Sequence, residues 1–268
     1  MVNDATAPAL SIDPNASGNL AFGIDIGGSG IKGAVVDLDT GLFATDRVRI
    51  PTPQPATPDA VAQTCKELMD QFNLPQDMPV GITFPAPVSH DVVLFIANLD
   101  QSWTGVNVAQ LMWDKLGRRV HAMNDADAAG FAEAMYGAAK GVPGVVIVTT
   151  LGTGIGSAIV FDGKLLPNTE LGHLEIDGKD AESRASSAQK TKNDWTFKQW
   201  AKRLQRYYSH VEMLFTPDLF VVGGGVSKKH DKFLPLLELK TPIVPAQLRN
   251  TAGIVGAAAL AAQAQRGE

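Results

Sequence analysis

The chain has 268 residues, 45% of them apolar and 7% aromatic, with 26 glycines and a formal net charge of −5. That balance excludes a disordered, fibrous or collagen-like chain and leaves length for one large domain or two modest ones. A single cysteine, Cys65, rules out a disulfide within the chain and a cysteine-rich zinc site.

In chain order, the opening residues carry an early acid and no basic patch ahead of an apolar core, which is not the pattern of a signal peptide. No later apolar run reaches the ~18 residues of a spanning helix. The expectation is a cytoplasmic chain with no membrane partner. Residues 19–37, NLAFGIDIGGSGIKGAVVD, set a glycine-rich turn between two runs of β-branched and small apolar residues, the pattern of a β-hairpin. Glycines let backbone N–H groups close on phosphate oxygens as an anion nest. Gly27, Gly28 and Ser29 are placed for that nest. Asp25, two positions ahead of the glycine pair, suits a magnesium ion or its water shell. Lys32 can neutralise phosphate charge or simply face solvent.

Residues 59–72 have helical spacing, with Cys65 read as buried filler. Residues 78–88, MPVGITFPAPV, read as a buried strand running into a proline-rich loop. Residues 118–123 read as a strand and 126–139 as an alanine-rich helix. Asn124 and Asp125 stand at their junction. Asp125 either caps the helix, which leaves Asp127 in the first turn as the other candidate, or accepts the proton of an attacking hydroxyl. The helix N-terminus would keep it ionised for that second role.

Residues 145–162, VVIVTTLGTGIGSAIVFD, repeat the plan of the first hairpin some 125 residues later, which points to two similar domains. At its turn, Gly152, Thr153 and Gly154 offer backbone donors and one hydroxyl to a transferring phosphoryl group. Glu170 and His173 follow in an ELGH segment, with Glu175 and Glu182 beyond them. Acids and a histidine in a loop suit paired hydrogen bonds to a polyhydroxylated ligand. The Glu-x-x-His spacing also fits a metal pair. Leu171-Gly172 speaks against a helix there, however, and no cysteine or second histidine is near, so zinc is rejected.

Residues 194–215 read as a long amphipathic helix. Residues 219–229, LFVVGGGVSKK, read as a strand that breaks at Gly223, Gly224 and Gly225, a surface on which a nucleotide base or phosphate chain can lie. Lys228 and Lys229 come directly after. Residues 254–265 read as a final alanine-rich helix. Alternating strands and helices put the fold in the α/β class. The expected domains are residues 1–123, joined by the helix in 252–268, and residues 124–251. Charge is uneven: residues 188–232 hold nine basic and four acidic side chains, a local +5, which leaves −10 for the rest. A basic segment on an acidic chain suits an anionic partner held at one place, or a solvated helix face.

With these motifs in this order, the chain resembles the ROK family of sugar kinases and repressors, over residues 22 to about 262. The resemblance implies an actin-like ATPase (ribonuclease H-like) fold of two domains with an interdomain cleft. It matches residues 25–32 and 151–156 to the family's phosphate motifs and residues 223–227 to its adenosine-side motif. It makes Asn124 a sugar ligand and Asp125 the catalytic base, with Glu170 and His173 as sugar contacts and Asn98 a further candidate. The family's cysteine-rich zinc loop is missing: GHLEIDGKDA runs straight into Glu182-Ser-Arg-Ala-Ser186. The last sugar contact is therefore carried to Glu182, and no zinc site is expected.

The shortened loop and the stretch around residues 203–229 look like the polyphosphate glucokinase branch, including polyphosphate/ATP-glucomannokinases. That implies phosphorylation of glucose, and of mannose in some members, from inorganic polyphosphate or ATP with magnesium, by a homodimer that binds no nucleic acid. Lys192, Lys198, Lys202, Arg203, Arg206, Lys228 and Lys229 are then candidates for a polyanion track. The alternatives are an ATP-only kinase of another hexose or N-acetylhexosamine, a non-catalytic sugar-binding regulator, and an actin-like filament protein. A regulator needs a helix-turn-helix domain ahead of the first phosphate motif, where only about twenty residues stand.

Overall fold

The computed structural model describes residues 10–96 and 99–267. The chain divides into two compact units, Met1–Asp125 with Gly253–Glu268, and Ala126–Ala252.

In the first unit, β1 (Leu20–Gly27) and β2 (Gly30–Asp37) pair antiparallel down to Gly27 opposite Gly30. A Cβ on Gly27 would stand 3.3 Å from the Gly30 carbonyl oxygen, so the turn closes on bare backbone. β3 (Leu42–Phe43) and β4 (Val48–Ile50) also run antiparallel to β2. Helix α1 (Pro58–Met69) starts where the Thr57 side chain accepts from Ala60 N, with proline at the first position, where a missing N–H costs nothing. It buries Val61, Ala62, Cys65 and Leu68 in the unit's core. Burial pushes the Cys65 thiol up to about 12, so the side chain is an inert filler.

β5 (Val80–Phe84), buried throughout, runs parallel to β1. A short ribbon of β6 (Val88–Ser89) and β7 (Val92–Val93) follows, then α2 (Val108–Leu116), closed by Gly117 at a φ of 66°. β8 (His121–Asn124) completes the sheet parallel to β5. It starts later than the expected 118, because β5 begins at Val80 and its ladder with β8 begins at Gly81 opposite His121, which leaves residues 118 and 119 without a strand partner. The C-terminal helix, Ala252–Arg266, lies on this sheet. A Cβ on Gly23 or Gly81 would run into the backbone of Ile254 or Ala257.

Helix α3 (Asp125–Tyr136), all but its first residue in the second unit, ends before the expected residue 139. Beyond Tyr136 the amides of Ala138 and Ala139 turn back to Glu133. β9 (Val145–Leu151) and β10 (Ile155–Phe161) form the second glycine-turn hairpin, with β11 (Lys164–Leu166) on β10. A ribbon of β12 (Glu175–Ile176) and β13 (Lys179–Asp180) leads into α4 (Glu182–Ala185) and α5 (Ser187–Lys192). Helix α6 (Phe197–Phe215) starts three residues later than expected, at a capping box of Thr196 and Gln199. It buries Trp200, Leu204, Tyr207, Tyr208 and Val211. β14 (Leu219–Gly223) and β15 (Ile243–Pro245) run parallel beside β9, giving the order β11-β10-β9-β14-β15. The first unit has the order β3-β2-β1-β5-β8, also an antiparallel hairpin followed by two parallel strands. The mixed α/β plan is thus used twice. Among the described residues no helix is long and apolar enough to cross a membrane.

Candidate active site

In the first unit, one row of residues crosses the sheet beside the glycine turn. Thr83, Asp25, Lys32 and Arg49 are successive register partners on β5, β1, β2 and β4. The Thr83 hydroxyl donates to Asp25 Oδ1 at 3.1 Å, and Lys32 Nζ meets Asp25 Oδ2 at 2.8 Å. Lys32 is thus an ion-pair partner of Asp25 and not a solvent-facing side chain. The Arg49 guanidinium donates to the Ser29 carbonyl at 2.6 Å, and a Cβ on Gly30 would collide with it. Arg49 carries no motif in the sequence. Only the pairing of a three-residue strand brings it to the turn.

The resemblance places magnesium at Asp25, and the donor set fits. A partly exposed carboxylate beside a hydroxyl offers hard oxygens, and magnesium commonly takes one or two carboxylates with water completing the shell.

In the second unit, β9 and β14 are parallel neighbours, so the Gly152–Gly154 turn and the Gly223–Gly225 triplet emerge together at their carboxyl ends. That edge of an open α/β sheet is where ligands bind. Gly224 has φ +81° and lies against the Leu151 backbone, a place and conformation open only to glycine. The Ser227 hydroxyl and amide close the triplet on the Gly224 carbonyl at 2.8 and 3.1 Å. Thr153 is exposed at the hairpin tip.

Asn124 ends β8, buried, and Asp125 follows it, exposed, as the first residue of α3. Asp127 is buried, and its Oδ2 accepts from Asn168 N at 2.7 Å. The two acids therefore differ in kind. Asp127 fastens a loop, while Asp125 is exposed at the start of the helix.

Glu170, His173 and Glu182 come together in the second unit. Burial raises the Glu170 pKa, with the His173 charge lowering it and the Glu182 carboxylate raising it. Glu182 Oε2 accepts from Ile155 N at 3.0 Å, so this acid also braces the second glycine turn. Asp180, which carries no signal in the sequence beyond its place in the shortened loop, ties the group together. Its Oδ2 meets His173 Nδ1 at 2.8 Å and its Oδ1 accepts from Glu182 N at 3.1 Å. The His173 pKa is raised, first by that bond to Asp180. Ligand atoms of His173, Asp180 and Glu182 lie within 4.8 Å of one another, a closeness these bonds account for. Asn98 lies outside the described residues.

The basic segment is divided. Arg206 pairs with Asp177 at 2.8 Å, and Arg203 sits 5.2 Å from the Trp195 ring centroid. With Lys202 and Arg184 they line a cavity of about 360 Å³. Lys192, Lys198, Lys228 and Lys229 are exposed. Within each unit a glycine turn offers backbone donors suited to phosphate, and within the second unit Glu170, His173 and Glu182 offer paired hydrogen bonds suited to a polyol.

The model of the ROK family matches residues 21–192. A polyphosphate glucokinase of Mycobacterium tuberculosis (strain CDC 1551 / Oshkosh) is 54% identical over 256 residues, covering 95% of this chain and 96% of that one. The crystal structure of the inorganic polyphosphate/ATP-glucomannokinase from Arthrobacter sp. strain KM matches with a TM-score of 0.86 at 53% identity, over 94% of this chain and 100% of that one. A ROK family glucokinase from Streptomyces griseus, in complex with glucose and AMPPNP, matches with a TM-score of 0.78 at 26% identity, over 91% and 99%.

Proposed function

The chain belongs to the ROK family, and from that premise we propose that it is a glucokinase using inorganic polyphosphate or ATP. The observation that carries this reading is the 54% identity to a polyphosphate glucokinase along 95% of the chain. The glycine turns and the cluster of Glu170, His173 and Glu182 support it. We read the two units as actin-like domains, the acceptor as the 6-hydroxyl of glucose and also of mannose, and the setting as the cytoplasm. The enzyme acts as a homodimer in this reading.

Asn124, Glu170, His173 and Glu182 bind and orient the sugar. Asp125 accepts the proton of the 6-hydroxyl as that oxygen bonds to the terminal phosphorus of the donor. The bond from that phosphorus to its bridging oxygen breaks, and ADP or a shortened polyphosphate leaves. Backbone donors of residues 27–29 and 152–154 and of the 223–225 triplet hold the donor phosphates. Lys32 counters charge beside Asp25. At Asp25, magnesium when bound neutralises charge on the transferring group. Phosphoryl transfer passes through a loose transition state, so position matters more than the strength of the base.

The test is a sugar panel with purified protein, ATP and magnesium. Glucose 6-phosphate and mannose 6-phosphate should form, each at kcat/KM at least ten times that for N-acetylglucosamine or N-acetylmannosamine, a margin on the order of one well-placed contact. A preference for an N-acetylhexosamine would refute the glucose reading and leave the family intact.

A further inference from the structure

Two lysines of the basic segment converge on one aromatic ring. Lys190 Nζ stands 4.6 Å from the centroid of the Phe197 ring, and Lys232 Nζ stands 5.8 Å from the same centroid. Lys190 comes from α5, and Lys232 closes the 3-10 segment Gly225–Lys232 that follows the glycine triplet. The ring is held firmly. Phe197 stacks on Phe233 at 6.1 Å and 10°, and the fully buried Phe233 packs on the equally buried Trp200 at 4.9 Å.

Around one ring the two ammonium groups lie no farther apart than roughly a Debye length at 0.1 M salt, so screening leaves part of their mutual repulsion. Neither forms an ion pair with a carboxylate among the described residues. Attraction to an aromatic face offsets such repulsion only in part at a surface site. An anion that meets both offsets it. Both lysines are also tethered to the donor turns. Ala188 N, two residues before Lys190, donates to the Gly152 carbonyl at 3.0 Å. The segment ending at Lys232 starts at Gly225, beside the Gly224 that lies on Leu151.

We infer that Lys190, Lys232 and Phe197 form a distal donor subsite, which takes the phosphates of an inorganic polyphosphate beyond the one being transferred. This rests on the polyphosphate reading above. A chain charged at every unit gains from each spaced cation it meets, through released counterions. The charge of ATP ends at its triphosphate, so the subsite favours the longer donor.

The experiment compares the parent with the double variant Lys190→Met, Lys232→Met, which keeps the apolar stems. A control double variant, Lys164→Met with Lys240→Met, removes equal charge elsewhere. KM is measured for long-chain polyphosphate over a salt series and for ATP, with equilibrium binding of polyphosphate alongside. The expected result is a KM for polyphosphate raised at least about tenfold, the scale of losing charge-assisted contacts, with the ATP KM within about twofold. The salt dependence should flatten as well, since fewer counterions are released. The control should match the parent. Phe197→Leu should show a smaller polyphosphate defect by loosening both lysines. Equal losses with both donors, or an unchanged polyphosphate KM in the double variant, overturn the subsite while the kinase reading stands. A parent that neither binds nor uses polyphosphate, yet uses ATP, overturns both the subsite and the polyphosphate reading.

Discussion

At the scale of single residues, Asp125 and Asp127 stand two positions apart and do different work. Asp127 is buried with its Oδ2 on the Asn168 amide, while Asp125 is exposed at the start of α3. Asp125→Asn should therefore lower kcat by at least about a hundredfold, the usual scale of general-base help, while calorimetry still detects glucose binding. Turnover within a few-fold of the parent would make Asp125 a helix cap. Asp180 acts through His173, and its bond is the first cause of that histidine's raised pKa. In Asp180→Asn, the His173 midpoint followed by NMR should fall toward the ordinary 6.5, and the KM for sugar should rise more than kcat falls. A histidine pKa raised by folding adds stability that is fully present below 6.5 and fades as pH climbs through the raised folded value. The stability gap between parent and variant should thus narrow with increasing pH. A gap that widens would contradict the bond's role.

At the scale of elements, both glycine hairpins were legible because their signal is local. A turn that needs bare backbone is written in glycine, and β-branched runs flank it. Cys65 was legible as filler for the same reason, from its place in an apolar helical stripe. What escaped depended on partners distant in sequence. Arg49 reaches the Ser29 carbonyl only because a three-residue strand pairs with β2, and Asp180 gains its place from a two-residue ribbon. Strand β8 starts late because its ladder partner β5, some forty residues earlier, begins only at Val80. The C-terminal helix approaches the sheet closely at Gly23 and Gly81. Gly81→Ala puts a methyl against the Ala257 backbone, and urea unfolding should show a loss of about 1–3 kcal/mol, the usual cost of overpacking. An unchanged midpoint would mean that the helix is free to shift. The exposed Lys228 and Lys229 follow the glycine triplet directly, so reversing both to Glu should impair polyphosphate use more than ATP use. Equal impairment would take them out of any donor-specific role.

At the scale of the whole molecule, two units carry one sheet plan, and the motif order along the chain anticipates that repetition. The charge imbalance was also legible, but its arrangement was not. Arg206 of the expected polyanion track is occupied by Asp177, whereas Lys190, absent from that track, shares a ring with Lys232. Side chains on one helix face different surroundings, and a count of charges along the sequence does not separate them. The polyphosphate and ATP reading is tested most directly by ³¹P NMR of purified protein with glucose and magnesium, given ATP in one tube and nucleotide-free polyphosphate in another. The account predicts a growing glucose 6-phosphate signal in both, with chain-end loss from the polyphosphate. No sugar phosphate from either donor would contradict it.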